Sequence, residues 1–490
     1  MYIVMVATEC APVAKVGGLA DVVYGLSREV EGRGHAVEIV LPKYDNMRYD
    51  QIWDLKPCFH DLWVPWGSGS IRCSIWFGHV HGRKCYFIEP HSAENFFNRG
   101  SYYGFVDEHL RMAFFSKAVL EFLFKMGKRP DVIHSHDWQT GLVPVMLYEI
   151  YEKQGMRNVR ACHTIHNFMH QGVAGDDVLK LTGLGRIDYF YARERLGDDS
   201  NRSAINFLKG ATVYSNFVTT VSPRYAHEVR HLHYCNGLGA ALNTHQAKFG
   251  GVLNGLDYDM WNPQTDPHIA ATFSSDAVEK KYINKDALRE RLWLRKEYKP
   301  IIAYVGRLDA QKGVHLIRHT AFYALANGAQ FVLLGSGCDR RTNDEFWQLK
   351  RQLNDHPDCH LEVGYNEELA HLVYAGADMI VVPSNFEPCG LTQMIAMRYG
   401  TVPIVRGVGG LRDTVFDRDY SDRDPSHRNG YVFYDGDFNA LESALRRALG
   451  LWFDFPHQFR QLMLNGMRCD YSWNYPRRHY VNIYDYIRHK

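Results

Sequence analysis

Apolar runs of strand length alternate with segments of helix length along this chain; the alternation lapses near residue 230 and begins again near residue 300. Strands separated by helices have to run parallel, and right-handed crossovers then place helices on both faces of the sheet. Residues 2–7 read as a strand, 19–33 as a helix and 36–41 as a strand, which makes a βαβ unit. Further on, 108–126 reads as a helix, 131–136 as a strand, 141–154 as a helix, and 160–165 and 212–221 as strands. The expectation is a doubly wound α/β sheet.

From His231 to about Pro300 the chain is rich in Asn, Gly, Asp and Pro and contains "GGVLNGLDYDMWNP", which reads as a linker. The pattern then restarts with strands at 300–305, 330–334, 359–363, 379–382 and 402–405, separated by helices at 314–327, 343–354, 367–375 and 391–399. At 490 residues the chain is too long for one core. We therefore expect one Rossmann-like domain over residues 1–250 and a second over 251–470. Ligands of open α/β sheets bind at the carboxyl ends of the strands, so two such edges facing each other make an inter-domain cleft.

Composition narrows the class of ligand. Lys plus Arg number 56 against 55 Asp plus Glu, a net charge of +1, so no global field favours nucleic acid or an anionic membrane. Any anion has to be held locally. The ten cysteines show no CxxC pair, a usage that fits reduced thiols. No basic region precedes the apolar start, and no uncharged run nears the ~18 residues of a membrane helix. A cytoplasmic protein without membrane or nucleic-acid partners is expected. Aromatic residues make up 13% of the chain, enough for large cores or for a carbohydrate surface.

Four stretches carry chemistry. "ECAPVAKVGGLADVVYGL", residues 9–26, puts Lys15 and the adjacent Gly17 and Gly18 where the first strand hands over to a helix. The glycine spacing is not that of a dinucleotide fingerprint, which leaves the anion open. "VGRLDAQKG", residues 305–313, places Arg307 and Lys312 after the second domain's first strand, where two cations suit a diphosphate. In "PSNFEPCGLTQMIAMRYG", residues 383–400, Glu387 lies in a polar loop and Gly390, Leu391 and Thr392 open a helix whose N–H groups suit phosphate. "IHSHDWQTG" and "HTIHNFMHQG" end two first-domain strands with clustered histidines, which lack metal-ligand spacing and serve either as sugar contacts or as core residues. Asp-x-Asp triplets at Asp257–Asp259, Asp417–Asp419 and Asp422–Asp424 are assigned no metal.

Together with "FFNRGSYYG", "LNGLDYDMWNP", "GGLRDTV" and "YSWNYPRRHYVNIYDYI", these motifs make the chain resemble, over nearly its whole length, the bacterial and plant glycogen and starch synthases. Those are retaining glucosyltransferases with two facing Rossmann-like domains, the GT-B fold. The resemblance implies transfer of glucose from ADP-glucose to the non-reducing-end 4-hydroxyl of an α-1,4-glucan, with no cofactor and no metal. It also implies roles. Lys15 lies beside the donor diphosphate, Gly17 and Gly18 let the backbone approach, and Asp21 is nearby. Arg307 and Lys312 hold the diphosphate, and Gly390, Leu391 and Thr392 supply main-chain contacts to phosphate. Glu387 contacts the transferred glucose, His166 and Asp137 lie near the sugar, Asn254 is a polar contact at the hinge side, and Tyr365 stacks on the base. Residues 471–490 match the family's helix that crosses back to the first domain.

The chain departs from the pattern at three places. Ile395 stands where many relatives of this fold have a second glutamate, as in other glycogen synthases of this type; Val16 replaces a common threonine and His170 a tyrosine. Three rival readings remain: a related enzyme with a small-sugar acceptor, a non-catalytic glucan-binding protein, and a pyridoxal-phosphate phosphorylase. The joint presence of Lys15, Arg307, Lys312 and Glu387 argues against the second, and no matching lysine motif supports the third.

Overall fold

Tyr2–Val6 (β1) is a run of aliphatic residues with Ile3, Val4, Met5 and Val6 fully buried, as a strand covered on both faces requires. It is the centre of a nine-stranded sheet. The structure, a computed structural model, describes residues 1–231 and 233–490. It divides into unit 1, Met1–Gly255 with Trp473–Lys490, and unit 2, Leu256–Ser472.

The remaining strands of unit 1 are Ala36–Pro42 (β2), Trp53–Trp66 (β3), Gly69–Val80 (β4), Arg83–His91 (β5), Val132–His136 (β6), Arg160–Ile165 (β7), Val173–Ala174 (β8), Ile205–Asn206 (β9), Phe217–Thr220 (β10) and Phe249–Gly251 (β11). The large sheet has the order β11-β10-β7-β6-β1-β2-β5-β4-β3, and β8 pairs with β9 in a separate ribbon. From β11 to β5 the pairing is parallel. The edge formed by β3, β4 and β5 is antiparallel, and the alternation does not foretell it. Its outer strand β3 is largely exposed, with Leu62 and Val64 buried between exposed neighbours, and β4 turns into β5 through His81 and Gly82, both at positive φ, 45° and 83°, as a tight primed hairpin demands.

Two further expectations are corrected. Residues 212–216 are not strand: helix Phe207–Tyr214 covers the first of them, with Asn206 accepting from Lys209 N–H at 3.0 Å as its cap and Thr212 bonding back to Leu208 O at 2.8 Å. The helix expected over 141–154 is an α-helix at Leu142–Met146 followed by a π-turn at Leu147–Tyr151. The last helix, Pro476–Arg488, packs in unit 1 against β7 and the helix Gly18–Glu31. Just before it, Trp473 occupies the space a side chain at Gly25 would need: a Cβ there would lie 2.2 Å from the indole nitrogen.

Unit 2 is a six-stranded, wholly parallel sheet of Ile301–Leu308 (β12), Gln330–Gly337 (β13), Cys359–Val363 (β14), Met379–Val382 (β15), Val402–Arg406 (β16) and Tyr431–Phe433 (β17) in the order β14-β13-β12-β15-β16-β17. The stretch that reads as linker contains a helix, Lys281–Arg291. Buried lysines hold it rather than an apolar stripe. Lys281 Nζ donates to the carbonyls of Tyr374, Ala375 and Tyr399 and to Thr401 Oγ1 at 2.8–3.0 Å, and burial pushes its pKa down to about 7. Lys285 pairs with Asp378 at 2.7 Å. All ten cysteines are free thiols, and no helix among the described residues is long and apolar enough to cross a membrane.

Candidate functional site

In unit 1 the singled-out residues other than Asn254 follow three neighbouring strands, β1, β6 and β7, at their carboxyl ends. After β1 the chain crosses a turn held by Glu9, whose Oε2 accepts the N–H groups of Val16 at 2.8 Å and Gly17 at 3.0 Å while Oε1 accepts from Tyr103 OH at 2.8 Å. Burial pushes the Glu9 carboxyl up, and these donors pull it back down. Lys15, on the exposed lip of the turn, reaches Asp21 in the first turn of the helix Gly18–Glu31 at 2.9 Å. Gly17 caps that helix in an extended conformation, and a Cβ there would meet nothing within 4 Å. The fold itself does not demand a glycine at that place.

Asp137 ends β6 with φ 55° and ψ 178°, a conformation that costs a non-glycine residue about 1–3 kcal/mol and concentrates at functional positions. Its Oδ1 accepts the His166 N–H at 2.6 Å and the Asn167 N–H at 3.3 Å, which ties the end of β6 to the end of β7. Burial raises its pKa to about 7, against the pull of those two bonds. Behind it stand four buried histidines. His136 Nδ1 lies 3.1 Å from His166 Nε2, His134 contacts Tyr484 OH and Thr164 Oγ1 at 2.7 Å each, and His163 Nδ1 lies 2.8 Å from Ser135 Oγ. Burial lowers His163 and His166 to about 3 and holds His134 and His136 well below the usual range, so all four are neutral at pH 7. Asn254, after β11, is buried, and its Oδ1 has no hydrogen-bond partner among the described residues.

In unit 2 the loops after β12 and β15, neighbours in the sheet, are joined to each other. Asn385 Nδ2 donates to Ala310 O and Asn385 N–H to Gln311 O, both at 2.7 Å. Lys312 Nζ donates to Glu387 Oε2 at 2.5 Å, and Ser384 Oγ donates to the same oxygen at 2.8 Å. Gly313, at φ 71°, lets the first loop pass the second, since a Cβ there would sit 2.4 Å from Pro383 O. Gly409, at φ 46°, does the same for the loop after β16: a Cβ would lie 1.9 Å from Glu387 O, and the next residue, Gly410, donates its N–H to that oxygen at 3.0 Å. Arg307 is exposed, 3.6 Å from Asp309, whose carboxylate caps the turn by accepting Lys312 N–H at 3.0 Å. Gly390, at φ 76°, and Leu391 lead into the helix Thr392–Arg398, which has no side-chain cap.

Lys312, Glu387, Arg307, Gly390, Leu391 and Thr392 thus share one edge of unit 2. Tyr365 lies farther along it, after β14, with its ring exposed and its hydroxyl donating to Glu367 at 3.1 Å. Asp417 and Asp419 are spent on Arg447 at 2.9 and 2.8 Å, and no cluster among the described residues has the make-up of a metal site. Single-residue reading missed Glu9, Tyr103, Ser384, Gly409 and Gly410. Tyr103 and the two glycines lie inside motifs, "FFNRGSYYG" and "GGLRDTV", that carried a resemblance but no role.

Residues 2–244 match the family described as "Starch synthase catalytic domain", and residues 286–461 match "Glycosyl transferases group 1". The chain is 63% identical to Glycogen synthase 2 of Methylococcus capsulatus over 99% of this chain and 100% of that one. It is 62% identical to Glycogen synthase 1 of Synechococcus sp. over 100% of each. The catalytic domain of starch synthase IV from Arabidopsis thaliana, solved bound to ADP and acarbose, matches with a TM-score of 0.97 at 42% identity, covering 100% of this chain and 99% of that one.

Proposed function

The chain belongs to the glycogen and starch synthase family, and from that premise we propose that it transfers glucose from ADP-glucose to the non-reducing-end 4-hydroxyl of an α-1,4-glucan with the α configuration kept. The observation that carries the assignment of the site is the Lys312–Glu387 pair, which joins two strand-end loops at 2.5 Å with Arg307 on the first of them. Cations beside a carboxylate suit a ligand that is anionic at one end and rich in hydroxyls at the other.

In this reading the bond from glucose C1 to the diphosphate oxygen breaks, the acceptor's O4 bonds to C1 on the same face, and the O4 proton passes to the departing phosphate oxygen. Lys15, Arg307 and Lys312 offset the charge that grows on the diphosphate, with backbone N–H groups at Gly390, Leu391 and Thr392 adding to them. Removing one such donor in a dry site costs about 3 kcal/mol of transition-state stabilisation. Glu387 accepts hydroxyls of the transferred glucose. His166 and Asp137 bind the same sugar, and the open space around Gly17 admits the donor, with Gly18 next to it. Asp21 and Asn254 act as polar neighbours of the donor, and the exposed ring of Tyr365 stacks on the base.

Initial rates of glucose transfer to glycogen, to maltose and to fructose, with ADP-glucose and UDP-glucose in turn, test the proposal. Faster growth of glycogen with ADP-glucose is expected. Incorporation into small sugars alone would overturn the acceptor, and a preference for UDP-glucose would overturn the donor.

A further inference from the structure

Two imidazoles share a single hydrogen bond where β6 and β7 end, His136 Nδ1 facing His166 Nε2 at 3.1 Å. Both rings are neutral, so each carries one proton and only one proton lies between the facing nitrogens. In the first arrangement His136 donates from Nδ1, His166 accepts on Nε2, and the proton of His166 is on Nδ1. In the second His166 donates from Nε2, which forces the proton of His136 onto its own Nε2. That atom is buried and has no partner among the described residues. A buried N–H without an acceptor is a rarer defect than an unused acceptor lone pair, so the first arrangement is favoured.

The surroundings hold both rings still. His136 N–H donates to Thr140 Oγ1 at 2.7 Å, and its ring lies against that of His134 with centroids 4.2 Å apart. His134 is itself fixed on both nitrogens, by Tyr484 OH and by Thr164 Oγ1, and Thr164 Oγ1 lies 2.6 Å from Thr219 Oγ1. On the other side Asp137 fixes the backbone of His166. His166 bonds to His136 through Nε2, and its Nδ1 makes no hydrogen bond among the described residues.

We propose that His136 is a positioning residue that locks His166 as its Nδ1–H tautomer, so that His166 meets the transferred sugar as a hydrogen-bond donor to a hydroxyl oxygen and not as a base. This rests on the proposed function, which sets His166 against that sugar. The lock is selective: a group presenting only a donor has no use for His166, whereas a hydroxyl oxygen with free lone pairs does.

The test uses the full chain with 15N-labelled histidine and the variants His136→Leu and His136→Asn; the Asn amide nitrogen can occupy the place of Nδ1. In the unaltered protein His166, assigned with His166→Gln, is expected to show a protonated Nδ1 and a bare Nε2. In His136→Leu the pattern changes, and kcat for transfer to glycogen falls about 10- to 100-fold with the KM for ADP-glucose nearly unchanged. His136→Asn is expected to recover most of that loss. A protonated Nε2 on His166 in the unaltered protein would overturn the proposal, and so would equal kcat in the two variants at matched melting temperatures. Absence of any glucose transfer would refute the proposed function instead, while the nitrogen spectrum still decides the tautomer.

Discussion

Lowering the pH from 7 to 5 is expected to destabilise unit 1 through its buried histidines. A histidine held neutral in the fold contributes stability that is fully present above its unfolded pKa of ~6.5 and is lost as pH falls below that value, because only the unfolded chain then takes up a proton. His163 and His166 titrate near 3 in the fold and remain neutral throughout this window, and burial holds His134 and His136 well below the usual range. The slope is about 1.4 kcal/mol per pH unit for each group, or about 2 kcal/mol each between pH 7 and 5 and about 4 kcal/mol for His163 and His166 together, with His134 and His136 acting in the same direction. Asp137 acts in the opposite sense. Its pKa of about 7 lies above the unfolded value, so the fold takes up a proton first and regains about 2 kcal/mol on acidification. The buried carboxyl of Glu9, also raised, works in the same direction as Asp137. A net loss of a few kcal/mol remains, a large share of the whole stability of many domains, ~5–15 kcal/mol. Amide hydrogen exchange in peptides covering β6 and β7, corrected for intrinsic rates, reads this for unit 1 by itself. His163→Leu is expected to remove about 2 kcal/mol of the drop, because one proton fewer is bound on unfolding. Opening free energies at pH 7 and 5 that agree within about 1 kcal/mol would refute the reasoning.

Four substitutions test the two strand edges. Glu387→Gln is expected to lower kcat at least ~100-fold and also to lower the melting temperature, since Lys312 loses its carboxylate in a poorly hydrated place, while Asn385, Gln311 and Gly410 still hold the loop; steady-state rates with thermal melts check it. Lys15→Ala is expected to cost about 10-fold in kcat/KM for the donor, less than loss of a donor in a dry site, and nothing in the KM for glycogen, because Lys15 is 32% exposed and Arg307 and Lys312 are proposed to share the diphosphate with it. Gly409→Ala places a Cβ 1.9 Å from Glu387 O at positive φ, so it should destabilise unit 2 by about 1–3 kcal/mol in urea titration and slow transfer together. Gly17→Ala meets open space, so an unchanged melting temperature is expected with a raised KM for the donor; a fall in stability would show that Gly17 serves the fold instead.

What the sequence made legible follows from what each residue touches. The parallel strands β1 and β15 stand out because both faces are covered and every position is aliphatic or aromatic. The antiparallel edge β3–β5 does not, since its strands are exposed on one side and contain Pro57, Pro65 and many polar residues. The helix Lys281–Arg291 was hidden for a different reason: its anchors are lysines whose acceptors lie 93 to 120 residues away, so no local pattern announces them. The same distance rule separates the site residues. Lys15, Arg307 and Lys312 are readable because a cation in a turn after a strand is locally odd. Glu9 and Gly409 are not, because one matters through Tyr103 and the other through Glu387 O, contacts that only the fold creates.

Two of the cations proposed to meet the diphosphate are already paired with carboxylates, Lys15 with Asp21 and Lys312 with Glu387, which accords with a chain whose charges nearly cancel. The two pairs differ in how readily they open. Lys15 and Asp21 are 32% and 30% exposed, and a pair in such a setting contributes at most about 1 kcal/mol, so this pair by itself opposes the movement of Lys15 toward an anionic donor only weakly. Lys312 and Glu387 are 19% and 7% exposed, and Glu387 also accepts from Ser384; parting them would strand a charge in a poorly hydrated place. An ammonium has three N–H donors, so Lys312 can keep one on Glu387 and turn the others to phosphate. In that arrangement Lys312 ties the carboxylate that meets the sugar to the diphosphate that leaves it, while Lys15 is the cation that moves. Lys312→Arg would keep the charge and yet misplace the tie, so it is expected to lower kcat more than it raises the KM for the donor, whereas Lys15→Arg should be nearly neutral in both. Equal effects of the two substitutions in steady-state kinetics would show that the difference in enclosure between the pairs has no bearing on the reaction.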